Sequence, residues 1–117
     1  MRDVATAHLQ ALETAGAAGE RMLLTADEPA ESFLGIARIL REGLGAAASK
    51  VPTSEYSEAE VRELARTVPA LREAVSRLGR RPQISNAKAK AVLGWTPRPV
   101  SETILDTAQS LIAKNLV

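Results

Sequence analysis

A chain of 117 residues is expected to form one domain, 1–117, with a modest core. A formal net charge of +1 gives no electrostatic drive toward nucleic acid or an anionic membrane, and the lack of cysteine excludes disulfides, thiolate chemistry and cysteine zinc sites. No apolar run has the length of a membrane span and the N-terminus carries no signal-peptide pattern, so a cytoplasmic protein is expected.

The helical period leads from the start. From Arg2 to Ala15, one stripe holds Val4, His8, Ala11, Leu12 and Ala15, and Gly16-Ala-Ala-Gly19 ends it. Arg21-Met-Leu-Leu-Thr25 is too short and too uniformly apolar for an amphipathic helix, which predicts a buried strand. Asp27-Glu28-Pro29 suits the opening of a second helix, with Ser32 as a rival start. Its core face holds Phe33, Ile36, Ala37, Leu40 and Leu44, and Gly43 and Gly45 close it. Ser49 to Thr53 is predicted as a second, very short strand, parallel to the first across a right-handed helical crossover.

A long third helix is predicted from about Ser57 to Leu78, kinked or split at Pro69. Glu58 with Arg62 and Glu73 with Arg77 are four-residue pairs that mark its solvated face. Gly79-Arg-Arg-Pro82 is a turn, and Ser85 or Asn86 caps a short helix ending at Gly94. Ser101 is the predicted cap of the last helix, with Val100 and Leu105 set for a hydrophobic staple. Ile104, Leu105, Ala108, Leu111 and Ile112 form its inner face. The fold class is therefore α/β and helix-dominated: a small parallel sheet of two or three short strands packed by about five helices.

The aromatic share is only 3%, and the one tryptophan, Trp95, stands in Gly94-Trp-Thr-Pro-Arg-Pro99. Two prolines fix this corner. With no second aromatic nearby to build a stacking site, the indole is expected to pin the loop onto the core. His8 has no partner at metal spacing and is expected to be structural. Arg80, Arg81, Lys88 and Lys90 form the one basic cluster; Arg80, Arg81 and Lys88 are the candidate anion or substrate site, with solvated surface as the alternative.

Residues 84–112, "ISNAKAKAVLGWTPRPVSETILDTAQSLI", resemble the C-terminal end of extended short-chain dehydrogenases/reductases, the epimerase, dehydratase and dihydroflavonol-reductase-like group. "RDVATAHLQALE", "GERMLLTA" and "SFLGIARILREGLG" with "KVPT" are similar, in order, to the helix, strand, helix and short strand that precede it there. The resemblance implies the substrate-binding portion of an oxidoreductase or epimerase using NAD or NADP, acting on a small molecule. Its partner is then the missing nucleotide-binding Rossmann portion.

The cofactor turn Gly-x-x-Gly-x-x-Gly is absent, since Gly16-Ala-Ala-Gly19 has no third glycine and precedes a strand. The Tyr-x-x-x-Lys pair is absent too: Glu60 stands four residues after Tyr56, the one tyrosine. No catalytic, cofactor-binding or metal residue is therefore expected, and the chain alone binds no cofactor. Arg81-Pro82-Gln83-Ile84 lacks the Gly-Asp of nucleotide-sugar relatives. Where relatives are apolar, this chain reads "SEYSEAEVREL", through engineering, drift or family variation. The alternative is a stand-alone or engineered non-catalytic domain, a structural or interaction module.

Overall fold

Six α-helices alternate with turns and extended connections in the computed structural model, which describes residues 2–80 and 83–117. They divide into two compact units. The first combines residues 2–29 with 83–117, and the second is the continuous stretch between them.

In the first unit, α1 (Arg2–Glu13) is rich in alanine and free of glycine and proline, with Asp3 beside its positive N-terminal end. A short 3-10 turn, Ala15–Ala17, and Gly19 at φ +75° then redirect the chain. α5 (Ala87–Leu93) stops at Gly94, whose left-handed φ of +64° suits a residue without a Cβ. α6 (Val100–Ala113) follows the proline corner. Ala7, Ala89, Leu93 and Trp95 form the core, with Met22, Leu24 and Val92 packed against it.

Capping departs from sequence expectation here. Ser101 lies inside α6, which already begins at Val100, so it caps nothing and the staple geometry does not arise. The Glu28 carboxylate instead accepts from the Val100 N–H at 3.3 Å, placing negative charge at the positive helix end. Asn86 precedes α5 without capping it; its side chain is used elsewhere, as described below.

In the second unit, α2 (Phe33–Leu44) starts at the rival cap: Ser32 Oγ accepts from the Gly35 N–H at 3.0 Å. Gly45, at φ +53°, ends it. The long third helix is split as its proline requires. α3 (Glu58–Thr67) carries a complete capping box between Ser57 and Glu60. Pro69 then opens a 3-10 turn ahead of the single turn α4 (Arg72–Val75). The side chains buried here are small: Ala37, Ala48 and Ala65.

The expected parallel sheet is not formed; no strand occurs among the described residues. Lys50–Pro52 is consumed by a turn. The Val51 N–H donates to Ala48 O at 3.0 Å, its carbonyl accepts from Arg41 at 3.1 Å, and Pro52 has no N–H to give. Arg21–Thr25 stays non-helical, but a strand exists only as half of a pair, and this segment belongs to the other unit. It buries Met22 and Leu24 against helices instead. Burial also departs from the predicted stripes. Phe33 is 89% exposed and Leu12 85%, while Val4, Leu111 and Ile112 are exposed as well. Periodicity finds the apolar face of a helix; it cannot say whether this chain covers that face.

Candidate functional site

The most constructed side-chain cluster lies where the proline corner meets the first turn of α1. Trp95 is 2% exposed, and its Nε1–H donates to the Asp3 carbonyl at 2.8 Å. The indole thus buries a large apolar area while its one polar atom is satisfied. It is a peg, and Asp3 is the post it is tied to. Arg98, three residues on, donates from Nε to Asp3 Oδ1 at 2.9 Å. Its Nη1 reaches Asp106 Oδ2 at 2.5 Å and Glu102 Oε1 at 3.1 Å. Arg2 also reaches Asp106, at 2.6 Å.

The electrostatics are those of a closed network. Hydrogen bonds from Arg98 hold the Asp3 carboxyl below its ordinary value, and the same bonds act on Asp106. Arg98 in turn is held more firmly protonated by Asp3, Asp106 and Glu102. Four of the five N–H donors of this guanidinium go to three carboxylates, whose negative charge would also repel a substrate anion. The cluster therefore clamps helix to corner to helix. Its i,i+4 member, Arg98 with Glu102, is visible in the sequence. Asp3 is not, because nothing local marks a partner so distant.

A second cluster ties the non-helical segment to α5. Asn86, 8% exposed, donates from Nδ2 to the Thr25 carbonyl at 2.8 Å and to Asp27 Oδ1 at 2.7 Å. Lys90 pairs with the same Asp27 at 2.7 Å. These donors, Asn86 first, lower the Asp27 carboxyl. An Asn–Asp–Lys trio would be suggestive in a cleft, but here the three groups bond to one another, and Asp27 and Lys90 lie on the open surface.

The predicted anion site fares differently residue by residue. Lys88 is exposed and ion-pairs with Glu20, whose carboxyl it lowers. An incoming phosphate would have to displace that carboxylate. Arg80 is exposed and belongs to the second unit, whereas Lys88 and Lys90 belong to the first. Arg81 lies outside the described residues. His8 Nδ1 meets the Val4 carbonyl at 2.7 Å; a carbonyl only accepts, so Nδ1 carries the proton and the ring caps its own helix turn. No three His, Asp or Glu residues gather at metal-holding distance among the described residues.

Two hollows remain. One, of about 490 Å³ in the second unit, is bordered by Ser32, Gly35, Arg38, Arg41 and Thr53. Glu31 and Glu42 border it too, so its charges oppose one another and favour neither an anion nor a cation. The other, of about 220 Å³ in the first unit, is an apolar groove between Ala7, Ala11, Met22, Leu24 and Leu93, with His8 and Glu20 at its rim. No helix among the described residues is long and apolar enough to cross a membrane. Comparison with family models, curated proteins and solved structures gives no match for this chain.

Proposed function

We propose that this chain is the substrate-side portion of an NAD(P)-dependent reductase- or epimerase-like oxidoreductase, and that it is not catalytic alone. The resemblance of its segments, in order, supplies the chemistry. The observation that carries it physically is the exposed surface. The chain presents 9069 Å² to solvent, whereas even two separate globules of half its size would total about 7,400 Å². Leu9, Leu12 and Leu23 in the first unit and Phe33 and Tyr56 in the second stand exposed. That is the surface of a part whose covering is supplied from elsewhere, here a nucleotide-binding portion. Substrate is met only in that company, in the cytoplasm, with NAD or NADP held by the partner portion.

The division of labour rests on what hydride transfer requires. A dinucleotide is held by a glycine-rich turn and a helix start aimed at the pyrophosphate. Proton delivery in such chemistry needs a positioned acid of matched pKa. Tyr56 is exposed and is followed four residues later by Glu60, which is spent on the Ser57 cap. Titration of the chain with NADH and NADPH by calorimetry at moderate salt tests the proposal, with no saturable heat expected. A micromolar isotherm would overturn it. So would a coding frame that pairs this chain with no upstream Gly-x-x-Gly-x-x-Gly turn and Tyr-x-x-x-Lys.

One observation favours a second reading, a non-catalytic interaction module. The stretch from Ser54 to Leu64, apolar in the family it resembles, leads into the well-capped polar helix α3, which carries Glu58–Arg62 and Glu63–Arg66 pairs on its exposed face. A surface so completed has less need of a covering domain. The coding frame separates the two.

A further inference from the structure

We infer that the hollow of the second unit is a site for a small zwitterion, an α-amino acid with an apolar side chain. This goes beyond the functional reading above and does not depend on it.

The hollow holds about 490 Å³, within the range of small-molecule sites, about 300–1,000 Å³. Of the residues of α2 that line it, Gly35, Arg38 and Glu42 stand at three- and four-residue spacing and so share one face, with Arg41 beside them. Glu31 lines it ahead of the helix. Two guanidiniums and two carboxylates sum to no net charge. A lone anion or cation meets as much repulsion there as attraction. A ligand that carries both signs and no net charge can meet an opposite charge at each pole.

These charges are not spent on one another. Glu58–Arg62, Glu63–Arg66 and Glu73–Arg77 all close within this same unit. Arg38 and Glu42 also stand four residues apart, but with the arginine first, the less favourable order on a helix. Among the described residues neither they, nor Glu31, nor Arg41 makes an ion pair. Arg41 gives one N–H to the Val51 carbonyl at 3.1 Å and keeps its others. That bond ties the Pro52 wall to α2, and the Val51 N–H holds Ala48 O at 3.0 Å. The charges are thus presented from a bonded frame.

Gly35 sets the position of the acid. It is buried, and a Cβ there would collide with the Glu31 carboxylate. Without one, that carboxylate lies against the first turn of α2, three residues before Arg38, which makes the two neighbours. An α-amino acid suits so short a gap, since its ammonium and carboxylate are carried by one carbon. The ammonium meets Glu31 and the carboxylate meets the Arg38 and Arg41 forks. Leu34 and Pro52, which also line the hollow, flank an apolar side chain.

Titration of the isotope-labelled full chain with L-leucine, followed by NMR, tests this. Saturable shifts confined to residues 31–53 are expected, with a Kd of about 1 mM or tighter. N-Acetyl-L-leucine lacks the ammonium and L-leucinamide the carboxylate, so each should bind about tenfold more weakly or worse. Arg38→Gln and Glu31→Gln, both at exposed positions, should each weaken L-leucine by a similar factor, whereas Glu73→Gln should change nothing. Gly35→Ala alters no charge and favours the helix, but pushes the Glu31 carboxylate aside. It should weaken binding without loss of helical circular dichroism. No saturation by about 10 mM overturns the inference, as do shifts spread over both units. N-Acetyl-L-leucine bound as tightly as L-leucine would mean an anion site, and L-leucinamide bound as tightly a cation site; either overturns it. So does a folded Gly35→Ala chain that binds undiminished, and if that variant unfolds, the two glutamine variants decide.

Discussion

In the first unit, side chains reach across the sequence: the Trp95 indole to the Asp3 carbonyl, Arg98 to Asp3 and Asp106, Asn86 to Thr25. In the second, side chains serve their neighbours. Ser57 and Glu60 cap α3, Arg77 pairs with Glu73 and Arg41 returns to Val51. The cores follow suit. The first holds Leu93 and Trp95, whereas the second, among the described residues, buries only alanines and Gly35. A unit fastened by long-range contacts concentrates its stability in a few positions. A unit fastened locally spreads small contributions over many.

The comparison breaks hardest at the peg. Trp95→Ala should destabilise the first unit by roughly 3–5 kcal/mol, read as a shift in urea midpoint. Trp95→Phe sharpens it by keeping much of the ring while abandoning the Asp3 carbonyl, a loss of about 1–2 kcal/mol. Near-native stability of Trp95→Ala would sink the idea of a buried anchor. Next comes Asn86→Ala, which strips two acceptors of their donor and opens a gap against the Thr25–Asp27 bend. The expected loss is about 1–3 kcal/mol, and hydrogen exchange should quicken in α5 before α3.

Acid probes the same unit through its carboxylates. Asp3 and Asp106 titrate below their ordinary value of 3.8 in the folded chain. Their contribution is therefore complete above that value and fades as pH falls through the lower folded-state values. The first unit should lose its tertiary fluorescence signal below about pH 4, while pH between 5 and 8 changes nothing. High salt should soften the loss, since the network is partly open to solvent. A second unit that melts first in acid would reverse the ranking.

The local unit should respond more quietly. Ser57→Ala removes one half of the capping box and should cost about 1 kcal/mol, visible as faster exchange in the first turn of α3. Glu73→Gln breaks a pair whose side chains are about three-quarters exposed, and no measurable change in stability is expected.

How much of this was legible depended on how far each residue had to reach. The Pro69 split, the helix starts at Ser32 and Ser57 and the Gly94 stop are local events, and propensity describes them. The anchoring of Trp95 was also readable, because a lone indole in a proline-bounded corner has few other uses. Its partner Asp3 was not, and neither was the role of Glu28 in capping α6, because both are fixed by tertiary approach alone. The sheet failed for a related reason. Met-Leu-Leu reads as burial, but packing against helices half-buries Met22 and Leu24 without any ladder and leaves Leu23 exposed. The basic cluster was a pattern of sequence proximity; folding gave Lys88 and Lys90 to acids of their own.

The first unit is made from both ends of the chain, and the second is threaded between them. During synthesis at about 5–20 residues per second, the N-terminal helix must wait for seconds before Trp95 and Arg98 exist to hold it. The intervening stretch, rich in local contacts, can fold in the meantime. Closing so long a loop costs little more than closing a short one, because the penalty grows only with the logarithm of its length. The hazard is time rather than entropy. For those seconds α1 holds Ala7, the residue it buries against Trp95, open to solvent, and the blue shift of a single indole should mark the moment that the two meet.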